Sequence, residues 1–573
     1  MLSVALSCPV HAQTILRSID IADNDALTKR EILNTLEFKP SSVFSPARLQ
    51  QGMERLLALY HNNGYYFASV SVDSLVYSSD SSGVDIFMRV KEESRALIRS
   101  IGIEGNTVFT TEQIFREFDS RPGAVFLPSR LERDIDNLLA SYEQSGYPLT
   151  KVSISDIRSR IDSSSSDLEI DLRVEEGELV RINEISVEGN TETKADVVVR
   201  ETRLREGEPY NAEKIRTIPR KLNRLNIFSS VNEPELYMTS RGGGVLIRVE
   251  EGPANAFDGV LGYVPSSGGE TGYFTGVVDV GMRNLFGTAR KLNVRWQRED
   301  RFSQELFLKY VEPWVLGEPV NLGGSFFQRQ QDTTYVRRTI ELRTDLLVTE
   351  NLSLGALYNH EVIVPSSSLV GQAVFNSSTI TTGLEVRYDL RDDIVSPTSG
   401  ILYRSDYRIG RKKIFGLPDT TSAKTRLTVQ RFGMDVEWYL QTFERQVLAL
   451  ALHGREIRSD QIELSDLYRF GGATTMRGYR ESQFVGSRVV WSNVEYRFSL
   501  ARRSYVFGFF DTGYYYRPGD DAKGTASAQA VKYGYGIGLR VETALGNIGV
   551  SFALGEGDSF NQGKIHFGLM NEF

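Results

Sequence analysis

The apolar series Leu49, Met53, Leu56, Leu57, Tyr60 and the series Leu131, Ile135, Leu138, Leu139, Tyr142 have the same spacing, and each runs into a Gly-Tyr pair, Gly64-Tyr65 and Gly146-Tyr147. That spacing puts the five side chains on one face of a helix, and the glycine ends it. A chain that repeats an amphipathic helix must also repeat the surface that buries it.

The remainder of the unit repeats too. Each copy closes with a short strand and an acidic turn: Val84 to Val90 before Glu92-Glu93, Leu168 to Val174 before Glu175-Glu176-Gly177, and Val245 to Val249 before Glu250-Glu251-Gly252. Two copies open alike, with Ile101-Gly-Ile-Glu-Gly-Asn106 and Ile185-Ser-Val-Glu-Gly-Asn190, while Ile19-Asp-Ile21 opens the first more loosely. The order is strand, helix, helix, strand, strand over roughly 75 to 85 residues, enough for one modest core per unit. Three such α+β units are expected at 15–94, 95–178 and 179–252. The third keeps Ile215, Ile218, Leu222 and Leu225 but has Pro219 within its helix and Ile227-Phe228 in place of Gly-Tyr. It is either a diverged structural repeat or a unit adapted to contact the adjoining C-terminal half of the chain.

From about Ala254 to Phe573 the period changes from helical to two. Leu384 to Asp389 alternates strictly, as do Ile401 to Ile409, with Arg404, Asp406 and Arg408 on one face, and Val490 to Leu500, with Asn493, Glu495 and Arg497 on one face. Alternation alone fits a soluble sandwich, whose apolar face is buried, as well as a membrane barrel, whose apolar face meets lipid. Three features select the barrel: Trp296, Tyr310, Tyr403 and Tyr514 fall on the outer face near strand ends, no helical period intervenes, and the segment closes on an aromatic residue. At roughly 20 residues per strand and connection, residues 254–573 make about 16 antiparallel transmembrane strands. The closing strand, Ile565 to Phe573, puts Ile565, Phe567, Leu569 and Phe573 on one face.

Little else is chemically suggestive. The net charge of −8 gives no basic surface for nucleic acid. Residues 1–13 hold a short apolar stretch and Val10-His11-Ala12, which resembles a signal-peptide cleavage site, so a signal-peptide remnant is expected there. It lacks a basic leading segment, so either the true start lies upstream or the signal is unusually short. Cys8, the one cysteine, would leave with it, so no disulfide or thiolate metal site is expected. The five histidines, His11, His61, His360, His453 and His566, have no ligand spacing, and neither a Gly-x-Ser-x-Gly elbow nor a phosphate loop is present. No catalytic residue, metal or cofactor is expected, and the chain is read as a non-enzyme.

One segment, roughly Ser459 to Ser487, lacks alternation and is too long for a tight turn, so it should be an ordered loop. It holds Met476-Arg477-Gly478-Tyr479. Glu495 shares a strand face with Asn493 and Arg497, and Asp511 shares one with Phe509 and Gly513, so both acids should face the lumen. Arg477, folded inside, could pair with either through two parallel hydrogen bonds, and Gly478 lets the backbone turn sharply or approach the wall. The alternative is a solvated loop arginine unrelated to either acid.

Taken in order, these segments resemble the BamA/TamA superfamily of outer-membrane insertases and secretion pores, with POTRA repeats and a surface-antigen-type barrel. The likeness spans the chain beyond its first residues. It rests on the three repeats and on Asn284-Leu-Phe-Gly287, Val311-Glu-Pro-Trp314, Asp389-Leu-Arg-Asp392, Phe470-Gly-Gly472, Arg477-Gly478-Tyr479, Phe509-Phe-Asp-Thr-Gly513 and Gly534 to Arg540. Met476 stands where valine is usual in the family. The resemblance implies three β-α-α-β-β repeats in the periplasm before a sixteen-stranded barrel in the bacterial outer membrane. It implies a loop anchor in which Arg477 pairs with Asp511 and Glu495, and a C-terminal barrel signal at Phe567 and Phe573. The expected activity is assembly of outer-membrane proteins, with unfolded outer-membrane or secreted proteins as substrates and the lipid bilayer as surroundings. Further expected partners are a TamB-like inner-membrane or periplasmic protein or accessory lipoproteins. Three repeats resemble TamA in layout more than BamA. The alternatives are a two-partner secretion pore exporting one exoprotein, and a passive porin or adhesin.

Overall fold

A computed structural model describes residues 14–37, 41–162, 165–264, 272–366, 374–416, 424–501, 503–519, 526–543 and 546–570. Residues 1–13, expected to be a signal-peptide remnant, and Phe573 lie outside the described residues.

In the first repeat, strand Gly83–Lys91 is central, parallel to Ile15–Ala22 and antiparallel to the edge strand Ser69–Tyr77. Its alternation buries Val84, Ile86, Met88 and Val90 beneath two helices. Lys29–Leu36 starts at a capping box between Thr28 and Glu31, and Pro46–Asn62 starts with proline, where a missing N–H costs nothing. The second helix buries Leu49, Leu56 and Tyr60 and half-buries Met53 and Leu57, which is the face its spacing defined. Truncating a fully enclosed leucine such as Leu56 to alanine costs about 2–5 kcal/mol.

The second repeat copies this plan. Ser165–Glu175 is its central strand, between Ala96–Glu104 and Lys151–Asp162, and Pro128–Gln144 buries Leu131, Leu138 and Tyr142. Gly64 and Gly146 do more than end helices. Both lie at positive φ, and their carbonyls accept the N–H of Ala96 and of Val180, each at 2.9 Å, at the start of the following repeat.

The acidic turns also have a structural role. Glu92 accepts the Ala26 N–H at 2.9 Å and the Tyr60 hydroxyl at 2.9 Å. Glu176 accepts the Val108 N–H and the Tyr142 hydroxyl, both at 2.8 Å. Glu251 accepts the N–H groups of Thr191, Glu192 and Thr193 at 3.0, 2.9 and 2.6 Å. In each repeat one carboxylate thus fastens the end of the last strand to the loop before the first helix.

The third repeat departs from the expected helix pair. After Ala195–Thr202, the second helix is two pieces, Ala212–Arg216 and Ile218–Asn223, with Pro219 in the first turn of the latter. Proline lacks the N–H that would continue a helix through it, so the chain breaks at Thr217 and restarts.

Residues 255–570 form one sixteen-stranded sheet in which neighbours are antiparallel, from Asn255–Val264 to Lys564–Met570. Its exposed face settles the choice between sandwich and barrel. On Tyr335–Leu347, Ile340, Leu342 and Leu346 point out and are about half exposed, while Glu341, Arg343 and Asp345 alternate inward. The same inversion exposes Leu384, Ile409 and Ile537. Such an apolar outer belt is stable against lipid and not against water. The inward charges pair with one another, as in Arg343 with Glu385 at 2.5 Å, Arg404 with Asp435 at 2.6 Å and Arg408 with Glu341 at 2.9 Å. Tyr310 and Tyr403 are exposed on the outer face, and Trp296 and Tyr514 are half-buried. The last strand pairs with Gly546–Gly555 over Lys564 to Met570, with Gly549 opposite Gly568, and no ladder joins it to Asn255–Val264 among the described residues.

Candidate functional site

Between strands Gln446–Arg458 and Arg488–Ala501, residues 459–487 leave the meander. This is the segment without alternation. It carries a single turn at Leu464–Asp466 and a hairpin of Tyr468–Phe470 with Phe484–Gly486. Phe470, Met476, Tyr479 and Phe484 pack with Val489 of the wall into a small core. A loop with a core and a ladder holds one shape.

The structure brings Arg477, Asp511 and Glu495 together. Arg477 donates through Nε to Asp511 Oδ2 at 2.8 Å and through Nη2 to Oδ1 at 2.7 Å, a bidentate pair. Its backbone N–H donates to the same Asp511 Oδ2 at 2.9 Å, and Nη1 reaches Glu495 Oε1 at 2.6 Å. Arg497 holds the other oxygen of Glu495 at 2.8 Å. Asp511 has no exposed surface, so its charge depends wholly on Arg477 and the surrounding dipoles. The guanidinium lies 3.7 Å from the centre of the Phe509 ring, a cation–π contact that also keeps water from the pair.

Gly478 and Tyr479 continue the attachment. Gly478 lies at φ +92°, and a Cβ there would stand 2.7 Å from the Leu554 carbonyl, so the position needs glycine twice over. The Tyr479 hydroxyl donates to the Tyr533 carbonyl at 2.8 Å and accepts the Glu556 N–H at 3.0 Å. The wall is thinned to match, since a side chain at Gly534 would strike the Arg477 carbonyl.

Three contributors lay outside the expected set. Phe509 shares the inward parity of Asp511 and could have been found from it. His566 lies between Ile565 and Phe567, which are both exposed on the outer face, so alternation turns it inward; its Nε2 accepts the Gly478 N–H at 3.0 Å. Lys412 extends the inward series Arg404, Asp406, Arg408. It bonds Asp466 at 2.8 Å and lies 3.5 Å from Glu463, with all three almost wholly enclosed. The loop is therefore held at both ends of its course, by Lys412 on one strand and by Asp511, Glu495 and His566 on others. Of the C-terminal signal residues, Phe567 is exposed on the outer face and Phe573 lies outside the described residues.

The third repeat meets the barrel turns directly. Thr193 and Lys194 bond Asn284 and Gly287, each at 2.9 Å. Arg224 donates to the Asp389 carbonyl at 2.7 Å and to Asn351 Oδ1 at 3.0 Å. Glu201 accepts the Trp314 indole N–H at 2.7 Å; burial pushes its carboxyl up, against the opposing pull of that N–H. These contacts favour the adapted-unit alternative over simple divergence.

Known proteins share this architecture. A family model described as the Omp85 superfamily domain matches residues 284–573, just over half the chain, and one described as surface antigen variable number repeat (POTRA) matches residues 14–93, 96–177 and 180–252. The outer membrane protein assembly factor BamA of Nitratidesulfovibrio vulgaris is 24% identical over 97% of this chain and 71% of its own length. The protein of that name from Neisseria meningitidis serogroup B is 22% identical over 52% of this chain and 37% of its own length. Among solved structures, CdiB from Escherichia coli is similar in fold, with a TM-score of 0.51 and 14% identity over 92% of this chain and 98% of that one.

Proposed function

The chain belongs to the Omp85 superfamily, and from that membership we propose that it is an outer-membrane protein assembly factor, which receives unfolded substrates on its POTRA repeats and promotes their insertion into or translocation across the membrane. The barrel lies in the outer membrane and the repeats in the periplasm. One observation carries the proposal. The sheet begins at Asn255–Val264 and ends at Lys564–Met570, two strands that share no ladder among the described residues, so each offers backbone donors and acceptors to an incoming strand.

The edge strands of the repeats support the same step at an earlier stage. Ser69–Tyr77 ends in exposed Leu75, Val76 and Tyr77, so an unfolded segment can add to its free edge by backbone pairing before it reaches the membrane. The work done is strand exchange, with no bond made or broken, and we propose no catalytic group, metal or cofactor. In this account Arg477, Gly478, Tyr479, Asp511 and Glu495 anchor the loop that braces the lumen, and His566 ties that brace to the last strand.

Depleting the protein and then profiling outer-membrane and secreted proteins tests the proposal. Loss of many barrel proteins supports a general insertase, and loss of a few supports a specialised factor. Loss of a single secreted protein would move the chain to two-partner secretion, and an unchanged profile would leave a passive pore.

A further inference from the structure

Among the described residues, most inward charges of the barrel are paired, but two lysines are not. A chamber of about 610 Å³ lies where the third repeat meets the barrel, lined by Glu201 and Arg224 on the repeat side and by Arg283, Lys291, Lys309 and Arg387 on the wall. Its acids are engaged: Glu201 with Trp314, Asp345 with Arg343 at 2.8 Å, Asp435 with Arg404 and Arg455 at 2.6 and 2.8 Å, and Glu437 with the Tyr439 hydroxyl at 2.7 Å. Lys291 and Lys309 have neither a hydrogen bond nor an ion pair among the described residues. They sit on adjacent strands, where Lys309 is opposite Asn293, two residues from Lys291, so both ammonium groups enter the chamber from one face. Arg283 and Lys309 add like charge to Lys291 while Glu201 opposes it, and Asp345 and Glu341 oppose the charge of Lys309.

The chamber wall carries more cations than acids, and an anion placed between the two half-buried ammonium groups relieves their repulsion while accepting from both. The volume is in the range of ligand pockets, roughly 300–1,000 Å³, and admits a short stretch or an end of a chain but no folded element. We propose that Lys291 and Lys309 form a carboxylate-binding site, which takes an acidic side chain or the terminal carboxylate of an unfolded polypeptide passing from the repeats to the barrel. The proposal rests on the reading of the chain as a handler of unfolded polypeptides, and it assigns that handling a chemical preference. Both lysines stand on strands Arg290–Arg298 and Gln304–Glu312, neither of which carries a residue of the Arg477 anchor.

The test uses the full chain in lipid nanodiscs and labelled amphipathic nonapeptides ending in Phe, in three forms: free terminus without acidic residues, amidated terminus with two internal Asp, and amidated without acids. The two carboxylate forms together report the site, and their difference tells the terminal source from the side-chain source. The wild type should bind at least one carboxylate peptide roughly tenfold tighter than the neutral one, in keeping with a charged hydrogen bond. Lys291→Gln with Lys309→Gln should erase that preference, and Lys291→Arg with Lys309→Arg should keep it. Folding is read from the heat-modifiable band; should the double glutamine variant not fold, Lys309→Gln alone carries the comparison. Equal binding of all three peptides by the wild type, or an undiminished preference in the glutamine variant, overturns the site. The same preparations are scored for insertion of an unfolded barrel substrate into vesicles. Insertion without carboxylate preference sinks the site and spares the proposed function, whereas preference without insertion does the reverse.

Discussion

Gly478 donates its backbone N–H to Nε2 of His566, 3.0 Å away, so the residue beside the Arg477 anchor is bonded to the last strand of the sheet. The loop and the sheet end are thus one mechanical system. Whatever moves the strand Lys564–Met570 must part that bond or carry the loop with it.

The Arg477 to Asp511 pair should dominate the anchor. Arg477→Ala is expected to lower barrel stability by about 3–5 kcal/mol, because it leaves a fully enclosed carboxylate without its partner. Arg477→Lys should recover part of this, since lysine lacks the planar fork. A double-mutant cycle with Asp511→Ala, read from urea midpoints of the folded band, should give a coupling of at least about 1 kcal/mol, on the order seen for residues in contact. Strict additivity would refute the pairing.

Glycine substitutions separate backbone strain from crowding. Gly557 and Gly478 both have positive φ, at +78° and +92°, but a Cβ at Gly557 meets nothing within 4 Å. Gly557→Ala should therefore cost about 1–2 kcal/mol, the left-handed penalty alone. Gly478→Ala should cost more and should expose the loop to added protease. Equal costs would show that the Leu554 contact yields easily.

Lys412 and Lys424 each hold the same loop by an ion pair of similar length, Lys412 to Asp466 at 2.8 Å and Lys424 to Asp460 at 2.6 Å. Only the first is buried. Lys412→Met should cost about 3–5 kcal/mol and Lys424→Met less than about 1, since water screens the exposed pair. A comparable loss from both would mean that the lumen around Lys412 is as wet as the surface.

The third repeat should loosen in acid through Glu251. Burial opposes ionisation of this carboxyl, but hydrogen bonds from Thr191 and Thr193 and the N–H groups of Glu192 and Thr193 outweigh it and hold it down to about 2. A depressed carboxylate stabilises the fold above its unfolded value, near 4.5, and that contribution is lost as pH falls toward 2. Amide exchange at Thr191 to Thr193, after correction for intrinsic rates, should accelerate over that interval. Glu251→Gln should be fast already at neutral pH and flat.

Much of this was legible because periodicity reports burial directly. The helix faces at Leu49 to Tyr60 and Leu131 to Tyr142 and the lumen parity of Glu495 and Asp511 come from counting along the chain, and the loop bounds from where counting fails. What counting could not supply was distance across the lumen. Lys412 and Asp466 are 54 residues apart and Gly478 and His566 are 88 apart, so barrel closure, not local spacing, brings them together. The break at Thr217 was misread for a different reason: Ile215, Ile218, Leu222 and Leu225 keep helical spacing on both sides of it, and Pro219 sits where a new helix tolerates it.

The glutamate of each acidic turn reaches only residues of its own repeat: Glu92 back to Ala26, Glu176 to Val108, Glu251 to Thr191. A fastening that begins and ends within one unit travels with that unit when its coding segment is duplicated or deleted. The junctions at Gly64 and Gly146 use a backbone N–H of the next repeat, with a few side chains added: Tyr66 and Phe67 pack into the second repeat's core, and Asn211 donates to the Gln144 carbonyl at 2.9 Å. Copy number in such an array can change by whole units with compensating changes confined to the junctions, so the length of the periplasmic arm is a quantity that selection can adjust in discrete steps.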